Sequence, residues 1–124
     1  MLARIRALQD IVQVVYKMDT ITIKILKNGF SYSYGSGPPR IRNSSSVIFN
    51  WVERKLQCLG HSLASQKEVK TSIKVFYLDG CLNEATTSNY KELLFALAAF
   101  LEDYLPKGFL SAKYKKYGYS GKIS

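Results

Sequence analysis

The strongest constraint on the fold of this 124-residue chain is an alternating pattern over residues 20–34. Apolar residues occupy every second position on both sides of Asn28-Gly29; they are Ile21, Ile23 and Ile25 before it and Phe30, Tyr32 and Tyr34 after it. Period-two alternation is typical of half-buried strands, and Asn-Gly tolerates the positive φ values of a tight two-residue turn. The pattern predicts a β-hairpin with one apolar face.

Four other segments show clear periodicity. Helices are predicted over 2–16, 44–59 and 90–105, and a strand is predicted over 72–78. Asn89 and Glu92 fit a capping box at the start of the last helix. The first segment is ambiguous, because its second half, 10–16, also fits a strand.

This order of elements predicts an α+β fold. We expect a two-layer sandwich in which a short, mainly antiparallel sheet packs with about three helices. Asp79-Gly80 ends the strand over 72–78, and we interpret the residues that follow as an irregular loop. Residues 109–117 are compatible with a further strand at the sheet edge, where lysines would discourage unwanted pairing. We interpret 1–124 as a single domain with a basic, tyrosine-rich C-terminal segment over 106–124.

Composition excludes several classes of protein. Apolar residues make up 47% of the chain, which is enough for the core of one domain. No apolar run reaches the roughly 18 residues of a membrane span. Two cysteines do not make a disulfide framework, so reduced thiols in the cytoplasm are the simplest interpretation. We therefore expect a cytoplasmic protein with no membrane association.

The net charge of +9 is concentrated in two regions. Residues 20–60 carry six basic residues against one acidic residue, and residues 106–124 carry five lysines and no acid. Lysines neutralise phosphates and tyrosine rings stack on unpaired bases, so this pattern favours nucleic acid or an acidic protein as partner. The candidate binding residues are Arg40, Arg42, Lys107, Lys113, Tyr114, Lys115, Lys116, Tyr117 and Tyr119. The alternative is a tail whose tyrosines pack on the body while its lysines stay in water.

Two aromatic residues lie off the apolar stripes of their predicted helices. Trp51 and Phe95 are candidates for a protein interface, either in a homodimer or in an adaptor that docks a partner. A small-ligand-binding domain belongs to the same alternative. Equally, the first helix or the C-terminal segment would cover both rings.

Chemistry-bearing residues give weaker signals. Cys58, His61 and Cys81, with Asp79, would make a metal site, but a structural zinc site normally needs four ligands with paired spacing. Cys81 and His61 would make a thiol nucleophile and its base only if the fold joined them. The alternative is a buried helix cysteine and a surface histidine. Gly35 to Pro39 is glycine-rich, but its prolines remove the amides that would bind phosphate.

The sequence therefore predicts no catalytic residue, no metal and no cofactor. The leading hypothesis is a small non-enzymatic binding module with a basic surface. A homodimeric interaction or ligand-binding domain comes second, and a thiol-dependent enzyme third.

Overall fold

The computed structural model describes residues 19–62 and 70–117. Its strands are β1 (Asp19–Leu26), β2 (Gly29–Tyr34), β3 (Arg40–Arg42), β4 (Thr71–Phe76) and β5 (Leu82–Thr87). Its helices are α1 (Ser45–Cys58), α2 (Tyr90–Leu101) and α3 (Phe109–Lys116), and a 3₁₀ turn follows α2 at Glu102–Tyr104. The predicted helix over 2–16 lies outside the described residues.

The five strands form one mixed sheet in the order β3-β2-β1-β4-β5. β1 pairs parallel to β4, and the other three pairings are antiparallel. A parallel pairing requires a crossover, and here the chain from β3 through α1 provides it. The predicted α+β class, with a sheet packed against helices, is confirmed.

The core lies between one face of the sheet and the helices. Ile21 and Ile23 on β1 are completely buried. The same holds for Val52 on α1 and for Leu93 and Leu97 on α2. Their spacing is two residues on the strand and three or four on the helices, as the two geometries require. The alternation of β1 and the helical periodicity of 44–59 and 90–105 therefore identified the buried faces correctly.

The hairpin forms, but its turn lies one residue earlier than predicted. Leu26 pairs with Gly29, so Lys27 and Asn28 occupy the turn, and every described residue with positive φ is a glycine. Gly29 is required for another reason. A Cβ at this position would lie 2.9 Å from the backbone oxygen of Arg42 on β3. The glycine thus permits β3 to pair closely with β2.

The segment over 109–117 is a helix, and the prediction of an edge strand there is wrong. Leu110, Tyr114 and Tyr117 are four and three residues apart, which places them on one side of a helix. A strand would have put Leu110 and Tyr117 on opposite faces. Leu110 and Tyr117 are both buried against the core, so packing selects the helix.

The outer strand next to β4 is β5, in the region interpreted as an irregular loop. Its residues are mostly exposed and carry no apolar alternation, so no pattern indicated a strand. Backbone pairing with β4 decides its conformation, for instance between Ala85 and Ile73. The interpretation as a loop is therefore wrong.

The start of α2 forms a variant of the predicted capping box. The Asn89 side chain accepts a hydrogen bond from the Glu92 backbone N–H at 2.9 Å. The Glu92 carboxylate accepts from the Thr87 hydroxyl, whose oxygen in turn accepts from the Asn89 N–H. The helix ends at Leu101, and the 3₁₀ turn completes the predicted span before Leu105 turns extended ahead of Pro106.

No helix in the described ranges has the length and apolar character needed to cross a membrane.

Candidate binding cleft

A cleft of about 290 Å³ opens where β2, the loop after it and the start of β3 meet α1. Its walls are Tyr32, Ser33, Tyr34, Gly37, Pro38, Arg40, Trp51 and Lys55. Two of these residues are cationic, three are aromatic, and none is acidic. We call this feature the aromatic cleft.

Three local regularities bring these side chains together. Tyr32 and Tyr34 are two residues apart on β2 and therefore share a face. Arg40 lies opposite Tyr32 in the β2–β3 register. Trp51 and Lys55 are four residues apart on α1, so they occupy the same side of that helix. The aromatic cleft thus depends on strand register and helix rotation together.

The aromatic rings are in direct contact with one another and with cations. The ring centres of Tyr32 and Trp51 lie 4.5 Å apart, with the planes inclined at 46°. Lys55 places its Nζ 4.1 Å from the ring centre of Tyr34, and the Arg42 guanidinium carbon lies 5.8 Å from that of Tyr32. Such cation–π contacts hold long side chains in place near the cleft.

The phenol of Tyr34 is held by a carboxylate. Its hydroxyl donates to Oδ1 of Asp19 at 2.5 Å. This hydrogen bond, together with burial and the negative charge of Asp19, raises the pKa of Tyr34 to about 12. The phenol therefore remains neutral at physiological pH, and the carboxylate of Asp19 carries a negative charge beside this part of the cleft wall.

The loop after β2 forms a compact rim. The Gly35 N–H donates to the Thr20 carbonyl at 2.8 Å and extends the β1–β2 ladder by one bond. The Gly37 N–H then donates to the Tyr34 carbonyl at 3.0 Å, closing a turn before the two prolines. The two prolines have no N–H, so their backbone offers no hydrogen-bond donor to an anion. The positive charge at this rim belongs to the Arg40 side chain. The cleft can accordingly offer cations and ring faces to an anionic, planar group.

Two lysines of the C-terminal segment are used inside the fold. Lys113 Nζ lies 2.9 Å from Oε1 of Glu53, and Lys116 Nζ lies 3.6 Å from Oε2 of the same carboxylate. Glu53 is only 5% exposed, so this charge needs its cationic partners. Lys107 and Lys115, in contrast, are exposed.

The tyrosines of the same segment pack on α2. The ring centre of Tyr114 lies 5.3 Å from that of Phe95, and Tyr117 lies edge-on to Tyr90 at 6.0 Å. The Tyr90 hydroxyl accepts a hydrogen bond from Gln57, and burial raises the pKa of Tyr90. These contacts match the alternative in which the tail tyrosines cover the body. Tyr119 lies outside the described residues.

The two candidate interface aromatics have different surroundings. Phe95 contacts Tyr114 of α3, whereas Trp51 contacts Tyr32 and lines the aromatic cleft. Both side chains retain partial exposure. A homodimer through Phe95 stays a prediction.

The cysteines and His61 do not converge in the described part of the chain. His61 is 1% exposed, with Nδ1 3.1 Å from the Ser88 carbonyl oxygen and Nε2 2.7 Å from Thr71 Oγ1. Cys58 and Cys81 are exposed. The expectation of a buried cysteine and a surface histidine is therefore reversed at both positions, because the chain after α1 turns inward at His61. Within 19–62 and 70–117, no three potential metal ligands cluster.

Cys81 lies beside Asp79 in the β4–β5 turn. The Asp79 carboxylate accepts a hydrogen bond from the Cys81 N–H at 2.9 Å. Hydrogen bonding to that carboxylate and its negative charge raise the pKa of the Cys81 thiol, while the Cys81 N–H lowers the pKa of Asp79. A nucleophilic thiol needs the opposite shift.

The fold separates the basic residues that the sequence analysis grouped together. Trp51 and Glu53 are two residues apart on α1 and project from opposite sides. Arg40 and Lys55 therefore face the aromatic cleft, while Lys113 and Lys116 lie on the other side of the helix. From the sequence, Arg40 was a candidate residue for an anionic partner and Trp51 a candidate for a protein interface, and none of Lys55, Tyr32 and Tyr34 was named as a site residue. The signal in the sequence that could have identified Lys55 was its spacing of four residues from Trp51, which places both side chains on one side of a helix.

The fold and the cleft define a class: a small α+β domain with a cationic, aromatic cleft at one end of a mixed sheet. A scan of known protein families, a search of curated proteins and a search of solved structures each gave no match to the chain.

Proposed function

We propose that this protein is a small non-enzymatic binding module whose aromatic cleft binds an anionic macromolecule. The observation that carries the proposal is the meeting of Arg40 and Lys55 with three aromatic rings around one cavity. Charges act more strongly in a concave, partly desolvated surface than on an open one. A concave site with a few convergent polar groups is also the usual form of a binding site.

The distribution of charge supports an anionic partner. The net charge is +9, and six of the basic residues lie between positions 20 and 60. A field of this sign attracts polyanions over distances comparable to the Debye length, about 10 Å at 0.1 M salt. Lys107 and Lys115 add to this field from outside the cleft.

The experiment measures binding of three anionic probes by isothermal titration calorimetry. They are inorganic polyphosphate, poly-L-glutamate and single-stranded oligothymidine. We expect at least one probe to bind at low salt, with an affinity that falls as salt rises because counterions are released. The double variant Arg40→Ser/Lys55→Ser should weaken that binding by about tenfold or more.

A matched control removes the same net charge elsewhere. Lys107→Ser/Lys115→Ser deletes two exposed lysines outside the cleft, so it should change the affinity by less than about threefold. Absence of binding by every probe at low salt would refute the proposed function. Equal losses in the two double variants would show that net charge, and not the cleft, governs binding.

A further inference from the structure

We infer that the aromatic cleft takes single-stranded nucleic acid, with one unpaired base held at Trp51 and the flanking phosphates at Arg40 and Lys55. This inference rests on the proposed function, because it names the anionic partner of the same cleft. The chemistry of the cleft walls, the cleft volume and the placement of the cations all support it.

The walls are suited to a base as well as to a phosphate. An acidic peptide would require only the cations, but the cleft also contains Tyr32, Tyr34 and Trp51. Every base has a flat π surface, so aromatic side chains bind unpaired bases with little regard to sequence. Trp51 is partly exposed, whereas Tyr32 is 4% exposed behind it. Trp51 is thus available for stacking and Tyr32 packs against it from within, while the partly exposed ring of Tyr34 already has Lys55 over it.

The size of the cleft limits what enters it. A volume of about 290 Å³ lies at the lower end of the roughly 300–1,000 Å³ usual for ligand sites. A cleft of this size has room for a small planar group such as a base. A paired base is stacked inside its duplex and does not present its face to a recessed ring, so the geometry favours single strands.

The two cations of the cleft wall come from different elements. Arg40 comes from β3 and is exposed, while Lys55 comes from α1 and lies over Tyr34 at 4.1 Å. A strand whose base enters between β2 and α1 would carry its backbone across both. Each phosphate contact on a single strand contributes about 0.7 to the slope of log affinity against log salt. Removing either cation should lower that slope by about this amount.

The chain contains a built-in reporter for base stacking, because Trp51 is its only tryptophan. The experiment titrates the wild-type protein with labelled oligothymidine and oligouridine of about ten nucleotides, a usual length for one binding module. The comparison probes are an abasic oligonucleotide of equal length and a blunt duplex. Affinity is followed by anisotropy, and Trp51 by its own fluorescence.

We expect the base-containing single strands to bind at least about tenfold more tightly than the abasic strand and to quench Trp51. Trp51→Leu should lose that advantage, and Trp51→Phe, which keeps a ring, should retain most of it. The wild-type comparison does not depend on either variant folding. DNA and RNA single strands should behave alike, since stacking does not read the sugar.

The outcomes separate this inference from the function on which it rests. Equal affinity for abasic and base-containing strands, with losses on Arg40→Ser and Lys55→Ser, would overturn the base site and keep an anion-binding cleft. Duplex binding as tight as single-strand binding, or strong binding without Trp51 quenching, would overturn the inference as well. Failure of every anionic probe to bind would overturn both.

Discussion

Lys113 on α3 holds the buried carboxylate of Glu53 on α1, with 2.9 Å between Nζ and Oε1 across 60 residues of chain. The ammonium group also lies 5.7 Å from the ring centre of Phe49 and 5.5 Å from that of Phe109. The ion pair and the ring contact with Phe49 together attach α3 to α1. Lys113, which the basic pattern of the sequence suggested for partner binding, thus stabilises the fold.

The Glu53 ion pair gives the first prediction. Among the described residues, Lys113→Met leaves the buried carboxylate with Lys116 as its ion-pair partner, so we expect the free energy of unfolding to fall by about 2 kcal/mol. Urea denaturation followed by circular dichroism measures the change. Lys115→Met is the matched control, since it removes an exposed lysine of the same helix and should cost less than about 0.5 kcal/mol. Equal stability of the two variants would contradict the structural role of Lys113.

The second prediction concerns the buried His61. Thr71→Val removes the hydroxyl at 2.7 Å from Nε2, so the ring loses a partner in a site without water access. We expect a loss of about 1–2 kcal/mol in unfolding free energy. Thr71→Ser keeps the hydroxyl and should lose clearly less, as differential scanning calorimetry or urea titration would reveal. If valine and serine prove equivalent, the hydrogen bond contributes little.

The third prediction is a loss of stability at alkaline pH through Tyr34. The folded pKa of about 12 lies above the ordinary tyrosine pKa of 10.0, because Asp19 stabilises the protonated phenol. The group therefore contributes stability that is complete below pH 10 and is lost as the pH rises from there to about 12. Tyr34→Phe should remove this part of the pH dependence. Tyr104→Phe keeps the Tyr34–Asp19 pair and serves as the control; a pH profile common to both variants would count against the assignment.

The fourth prediction concerns the reactivity of Cys81. Asp79 raises the pKa of this thiol, so Asp79→Asn should increase the thiolate fraction and speed alkylation by iodoacetamide near pH 8. The asparagine keeps a carbonyl oxygen for the Cys81 N–H. The measurement uses a Cys58→Ser background so that one thiol reacts. Glu84→Gln, which removes a carboxylate from β5, should leave the rate unchanged, and an unchanged rate in Asp79→Asn would refute the coupling.

Local periodicity predicted the elements whose burial is one-sided. The isoleucines of β1 and the leucines of α2 recur at the spacing of their own backbone geometry, so each buried face could be identified without its partner. β5 has no such signal, because its conformation comes from hydrogen bonds to β4. The Cα partners Asn83 and Val75 illustrate a pairing that the residue pattern of β5 by itself does not show.

The helix over 109–116 shows why an edge strand could not be excluded from the sequence of this segment. Its lysines and tyrosines fit both an edge strand and a helix when they are considered alone. The buried carboxylate of Glu53 and the ring of Phe95 lie on other elements, and they decide which residues turn inward. The same reason explains His61, whose burial depends on Thr71 and the carbonyl of Ser88.

The sequence alone determined the α+β class, the buried stripes and the presence of a basic excess, since these follow from residue spacing and charge within single segments. Tertiary structure decided which of those charges remain available to a partner. Glu53 forms ion pairs with Lys113 and Lys116. Strand register and the rotation of α1 place Arg40 and Lys55 beside the three aromatic rings of the cleft. The Glu53–Lys113 contact joins residues 60 positions apart, so its energy depends on packing between elements that no local pattern encodes.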